Sequence, residues 1–123
     1  EFRRVLFRSI VEGAGGVLVP LNRRTLQIDL FARWRAPVIV VARTALGTIN
    51  HTLLTLEALK RRAVPIQGVV FVGDAMPDSE RTIADFGQVN ILGRLPVLPA
   101  LNTTALRDAF AAHFHAHDFE PAK

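Results

Sequence analysis

The chain has 123 residues, half of them hydrophobic, which suits a single compact domain. Cysteine does not occur, which excludes disulfides, thiolate nucleophiles and thiolate metal sites and makes a reducing cytoplasm the expected compartment. The formal charge of +4 comes from 15 Lys plus Arg against 11 Asp plus Glu, but pairs such as Arg23 with Arg24 and Arg61 with Arg62 lack aromatic neighbours for base stacking, so no nucleic acid is expected as partner.

Taken in chain order, Glu1 to Ser9 (EFRRVLFRS) mixes charge and apolar residues on no clear period and reads as cloning or adaptor sequence outside the fold. With no initiator Met, and no longer apolar strand leading into Ile10, the chain is expected to begin in the middle of a protein. Residues 10–114 read as part of one domain and residues 115–123 as a polar tail.

Ile10 and Val11 are expected to end a strand, followed by the glycine-rich turn Glu12 to Gly16 (EGAGG) and a short extended piece, Val17 to Leu21, closed by Pro20. Leu26, Leu30, Phe31 and Trp34 recur at helical spacing, with Arg33 and Arg35 at the end that favours cations. The run PVIVVA from Pro37 predicts a strand buried on both faces, as in a parallel sheet. Thr48 is a candidate N-cap for a helix to about Arg62 carrying Ile49, Leu53, Leu56 and Leu59.

A second buried strand is expected at Ile66 to Val72, then the loop GDAMPD and a helix capped by Asp78 that carries Ile83 and Phe86. Asn90 to Leu92 predicts a third strand. Pro96 and Pro99 punctuate a loop before a last helix with Leu106, Ala109 and Phe110. The longest apolar run, near Val38 to Ala42, falls far short of the roughly 20 residues of a membrane helix, so no membrane partner is expected. Strands alternating with helices in this way specify right-handed crossovers, and so an α/β fold with a parallel sheet and helices on both faces. Ligands in such sheets bind beyond the carboxyl ends of strands, which directs attention to the loops after Val11, Ala42 and Val72.

Two segments carry candidate chemistry. In Glu12 to Gly16 a carboxylate precedes small residues whose amides are free to face a ligand, an arrangement suited to a hard cation beside phosphate oxygens, although a glycine-rich turn with a surface glutamate has the same pattern. In Arg43 to His51 (RTALGTINH) a loop opens a helix, whose first amides suit a carboxylate or phosphate near Gly47 to Asn50; a simple cap at Thr48 is the competing reading. The alternating His113, His115 and His117 fit a frayed helix end and are assigned no role.

EGAGG, a short strand ending in Pro-Leu, a P-V-I-x-V strand and then Leu46 to Thr55 (LGTINHTLLT) together resemble the dethiobiotin synthetases, from about Ile10 through Val69 and more loosely to Phe114. The resemblance implies a fold of the P-loop NTPase type lacking its N-terminal portion. It also implies an ATP- and Mg²⁺-dependent homodimer that closes the ureido ring of dethiobiotin from 7,8-diaminononanoate and CO2, in biotin biosynthesis. Carried over by residue, Glu12 matches a magnesium ligand, and Gly13, Ala14 and Gly15 a backbone cradle near the nucleotide. Gly47, Thr48, Ile49 and Asn50 match the helix start that takes the substrate carboxylate from the other protomer. Val72 and Gly73 stand where an adenine-reading Asn is common, and Pro96, Val97 and Leu98 match a loop against the adenine.

No G-x-x-x-x-G-K-[ST] loop occurs, and Lys60 and Lys123 are the only lysines, neither of them in a glycine loop. The chain by itself is therefore expected to turn nothing over. Two related readings compete: a cobyrinic acid diamide synthetase, against which G-x-I-N-H argues, and a partition-type ATPase acting through dimerisation and partner binding.

Overall fold

The computed structural model describes residues 9–120. Helix α1 spans Gln27–Trp34, strand β1 Val38–Arg43, α2 Thr48–Arg61, β2 Ile66–Val72, α3 Pro77–Gly87, β3 Ile91–Leu95 and α4 Thr103–His113, followed by a 3₁₀ turn at Ala116–Phe119. The three strands form one parallel sheet in the order β1-β2-β3. Because each neighbour is reached through a helix and such crossovers are right-handed, α2 and α3 lie on the same face of the sheet.

Side-chain alternation shows where the core sits. Val40 and Ala42 of β1 and Val69 and Phe71 of β2 turn toward Leu56, Leu59 and Ile83 of the two crossover helices, with Ile28 of α1 joining them. Phe71, Ile28, Leu56, Leu59, Ile83 and Val69 are fully buried, each worth about 1.5–3 kcal/mol in burial. On β1 the alternate residues Ile39 and Val41 are exposed, Val41 by 65%. The expectation that this strand is buried on both faces is corrected: its alternate side chains stand exposed. Elsewhere α4 packs against β3, its start capped by Asn102, whose Oδ1 accepts the Ala105 N–H at 2.9 Å.

Several local expectations also change. Ile10 and Val11 form no strand and are exposed, since no described strand lies beside them to supply a ladder. Gly47, with φ +90°, is the residue before α2, and Thr48 is its first helical position, not its cap. For α3 the cap position is Met76, Pro77 takes the first turn where its missing N–H costs nothing, and Asp78 follows inside the helix. Glu80 reaches back to accept the Met76 N–H at 3.2 Å. Strand β3 runs on to Leu95, because Val70, Phe71 and Val72 continue to pair with Gly93, Arg94 and Leu95 beyond an irregularity at Val69.

In the segment expected as a polar tail, Ala116–Phe119 form the 3₁₀ turn. Phe119 packs on Phe110 and Phe114 with ring centroids 5.5 and 6.0 Å away, an aromatic cluster that polar composition concealed. The adaptor-like residues lie outside the described residues, apart from Ser9.

Candidate functional site

The Glu12 to Gly16 loop is held from α1. Leu26, before the helix, has no side-chain oxygen to offer, but the Asp29 carboxylate accepts its N–H at 2.8 Å and pairs with Arg62 at 3.5 Å. The first amides of the helix turn back to the preceding chain: Gln27 N–H donates to the Val19 carbonyl and Ile28 N–H to that of Val17, each at 2.9 Å. This folds residues 16–19 against the helix start and buries the Gln27 side chain, which is 7% exposed.

The Gln27 amide has two orientations. One gives a single 3.4 Å bond to the Ala14 carbonyl; the other accepts from the Ala14 N–H and donates to the Gly16 carbonyl, both at 3.1 Å. The second satisfies both ends of the amide and is preferred. Gly13 lies so close that a Cβ there would be 2.6 Å from the Gln27 side-chain amide, so a larger residue would require that amide to move. Glu12, just before it, is exposed.

At the second loop, Gly47 turns the chain with positive φ into α2, a conformation that disfavours other residues. The Thr48 N–H donates to the Ala45 carbonyl at 3.1 Å, and His51 N–H returns to the Gly47 carbonyl at 3.0 Å. The amides of Ile49 and Asn50 lie in the first turn, where a helix provides no acceptor. Ile49 packs its side chain against the core, so only its backbone can meet a ligand, whereas Asn50 is exposed. A cavity of about 240 Å³ opens here between the end of β1 and the first turns of α2, bounded by Arg43, Leu46, Thr48, His51 and Thr52. A wider depression runs along the first turn of α4, where Asn102 is already used in capping.

The third cluster joins the ends of all three strands. Gly73 N–H donates to the Leu95 carbonyl at 2.9 Å, which sets the residue after β2 beside Pro96, and the Thr44 N–H donates to the Val72 carbonyl at 3.0 Å. Arg94 donates from its guanidinium to the Gly73 carbonyl at 2.8 Å and stands 3.8 Å from the Glu80 carboxylate. Gly73 has φ +126°, and a Cβ there would fall 2.3 Å from Thr44 Oγ1. At Gly73, one of the two positions where the resemblance expects a base-reading Asn, a side chain would meet both this backbone strain and Thr44. Val97 is exposed and free to present an apolar surface.

Sequence position thus located two loops that the structure brings side by side, Val72–Gly73 and Pro96–Leu98. It also located the helix start at Gly47–Asn50. Among the described residues no hydrogen bond ties the Glu12 loop to either. Reading the sequence missed Gln27, Thr44 and Arg94. Gln27 carried one signal, a polar residue beside Ile28 on the inward stripe of α1; Thr44 and Arg94 carried none, because their roles depend on strand register.

Among the described residues no group of three or more His, Asp or Glu comes together as a metal site. His117 pairs with Asp118 at 3.0 Å instead. A lone exposed carboxylate at Glu12 does fit Mg²⁺, which keeps several waters and takes one or two carboxylates together with phosphate oxygens.

Comparison with known proteins supplies an independent line. The model of a family described as an AAA domain matches residues 7–105. The chain is 66% identical over 110 residues to an ATP-dependent dethiobiotin synthetase of Sphingopyxis alaskensis, covering 89% of this chain and 54% of the relative. Proteins of the same name from Agrobacterium fabrum and Novosphingobium aromaticivorans are 61% and 60% identical over equal lengths, with 52% and 53% of each relative covered. The chain spans about half the length of the curated relatives it matches.

Proposed function

Since the chain belongs to the AAA domain family, we propose that it forms part of an ATP-dependent dethiobiotin synthetase and that its three loops serve that reaction. The observation carrying the reading is the 66% identity to the Sphingopyxis protein over 110 residues, 89% of this chain. The reaction joins CO2 to one amine of 7,8-diaminononanoate as a carbamate. A carbamate oxygen takes the γ-phosphoryl group with ADP leaving, and the second amine then attacks the carbamate carbon, closing the ring as phosphate departs. Most of the acceleration in such chemistry comes from alignment and charge neutralisation.

Within that scheme Glu12 is one ligand of Mg²⁺, which when bound neutralises phosphate charge. The amides of Gly13 and Gly15 face anionic oxygens, whereas that of Ala14, expected in the same cradle, is taken up by the Gln27 side chain. The Gly47–Asn50 helix start takes the carboxylate of the diamine through the Ile49 and Asn50 amides, and in a homodimer that substrate is the other protomer's. The loops at Gly73 and Pro96–Leu98 border the base. Residues 10–114 act as one unit, in a cytoplasmic enzyme. Neither a cobyrinic acid diamide synthetase nor a partition ATPase is favoured by any observation.

The test is a chimera in which residues 10–120 replace the matching segment of the Sphingopyxis enzyme. Dethiobiotin formation from diamine, bicarbonate and ATP, followed by mass spectrometry, is expected within about ten-fold of the parent. A folded chimera that binds Mg·ATP but forms no product would refute the assignment.

A further inference from the structure

Of the amides in the Gly13–Gly16 turn, among the described residues only that of Ala14 has a partner, the carbonyl of the Gln27 side chain. The same side chain donates to Gly16, on the other side of the turn, so one buried amide group spans it and fixes two peptide planes at once. Gly13 closes on the same group, where a Cβ would displace the Gln27 amide. The consequence is directional: the Ala14 N–H is turned inward, whereas those of Gly13, Gly15 and Gly16 remain available to a ligand.

We propose that Gln27 is a positioning residue for the anion-binding turn: it withdraws the Ala14 amide and presents the neighbouring amides, beside Glu12, to the phosphate oxygens of a magnesium nucleotide. This rests on the reading of the Glu12 loop given above and assigns a function to a helix residue outside the loop itself. A buried, doubly bonded amide suits that task because losing it leaves the Ala14 N–H without a partner and the Gly16 carbonyl with the Val19 N–H alone, freeing the turn to sample other peptide orientations. Packing around Ile28 does not depend on it, since Gln27 N–H and Ile28 N–H are tied to Val19 and Val17 through the backbone.

The test uses the same chimera with Gln27→Met, which keeps the side chain's length and loses both hydrogen bonds, and Gln27→Glu, which keeps an acceptor for Ala14 alone. Amide hydrogen exchange, thermal unfolding and the two substrate KM values are measured. In Gln27→Met the Ala14 amide is expected to exchange about ten-fold faster and the KM for Mg·ATP to rise about ten-fold, with the diamine KM unchanged and strand β2 still protected. In Gln27→Glu the Ala14 amide keeps its protection. Unchanged Ala14 exchange in Gln27→Met overturns the inference, as does an equal rise in both KM values with a collapse in thermal midpoint. If the unmutated chimera makes no product the proposed function falls separately, and the exchange of Ala14 still decides whether Gln27 holds the turn.

Discussion

Replacing Gly73 by alanine tests how the ends of the three strands are joined. At φ +126° a residue with a Cβ is strained by about 1–3 kcal/mol. The added carbon would also stand 2.3 Å from Thr44 Oγ1, and overpacking of that kind costs about 1–3 kcal/mol more. Some of this is relieved by movement of Thr44, so a loss near 3 kcal/mol is expected, measured by urea unfolding of the chimera. Thr44→Ala alone removes a long 3.4 Å bond to the Val72 carbonyl and should cost only about 0.5 kcal/mol. In the double variant the overlap disappears and the strain remains, so the two costs should fall short of additivity by about 1–2 kcal/mol. Strict additivity, or a Gly73→Ala variant as stable as the parent, would refute the geometry. The same geometry predicts that Gly73→Asn is destabilised and gains no selectivity for adenine.

Three further outcomes follow from particular contacts. Arg94→Leu should raise amide exchange through residues 74–76, because it frees the Gly73 carbonyl and leaves Glu80 without its cation; slow exchange there would contradict the role of the guanidinium. Asn102→Ala should lower stability by about 1 kcal/mol by uncapping α4, read from thermal unfolding, with no change in substrate KM. The 123-residue chain alone should form no dethiobiotin, since its sequence holds no glycine loop of the G-x-x-x-x-G-K-[ST] type, and turnover by the purified chain would overturn that expectation.

What the sequence disclosed was governed by periodicity. Buried runs such as Ile66 to Val72, and the spacing of Leu53, Leu56 and Leu59, announce a strand and a helix without outside help, and both formed where expected. Caps were less legible. Thr48 and Asp78 have the chemistry of caps, yet a positive φ at Gly47 and the fixed φ of Pro77 set the helix starts elsewhere. Burial of β1 was misread because an apolar run reports what a strand can tolerate and not what packs on it, as Val41 shows. The aromatic contact of Phe119 escaped notice for the opposite reason: one ring in a polar context has no period.

At the candidate site the loops after β1 and β2 were legible from the ends of buried apolar runs, and the Glu12 loop from its glycines alone, since the strand expected before it did not form. The residues that hold the loops were not. Gln27 meets Ala14 and Gly16 only after the chain folds back at Pro20, which pairs with Leu26, and Arg94 meets Gly73 only through the parallel register of β2 and β3.

In the proposed reaction separate loops of this chain serve separate substrates, and steady-state kinetics of two chimera variants distinguish them. Glu12→Gln is expected to lower kcat at subsaturating Mg²⁺ and raise the magnesium requirement, with the diamine KM unchanged. Asn50→Leu is expected to raise the diamine KM and leave that for Mg·ATP as it was. If both variants change the same parameter, or if Asn50→Leu acts on ATP alone, the assignment of the two loops is wrong.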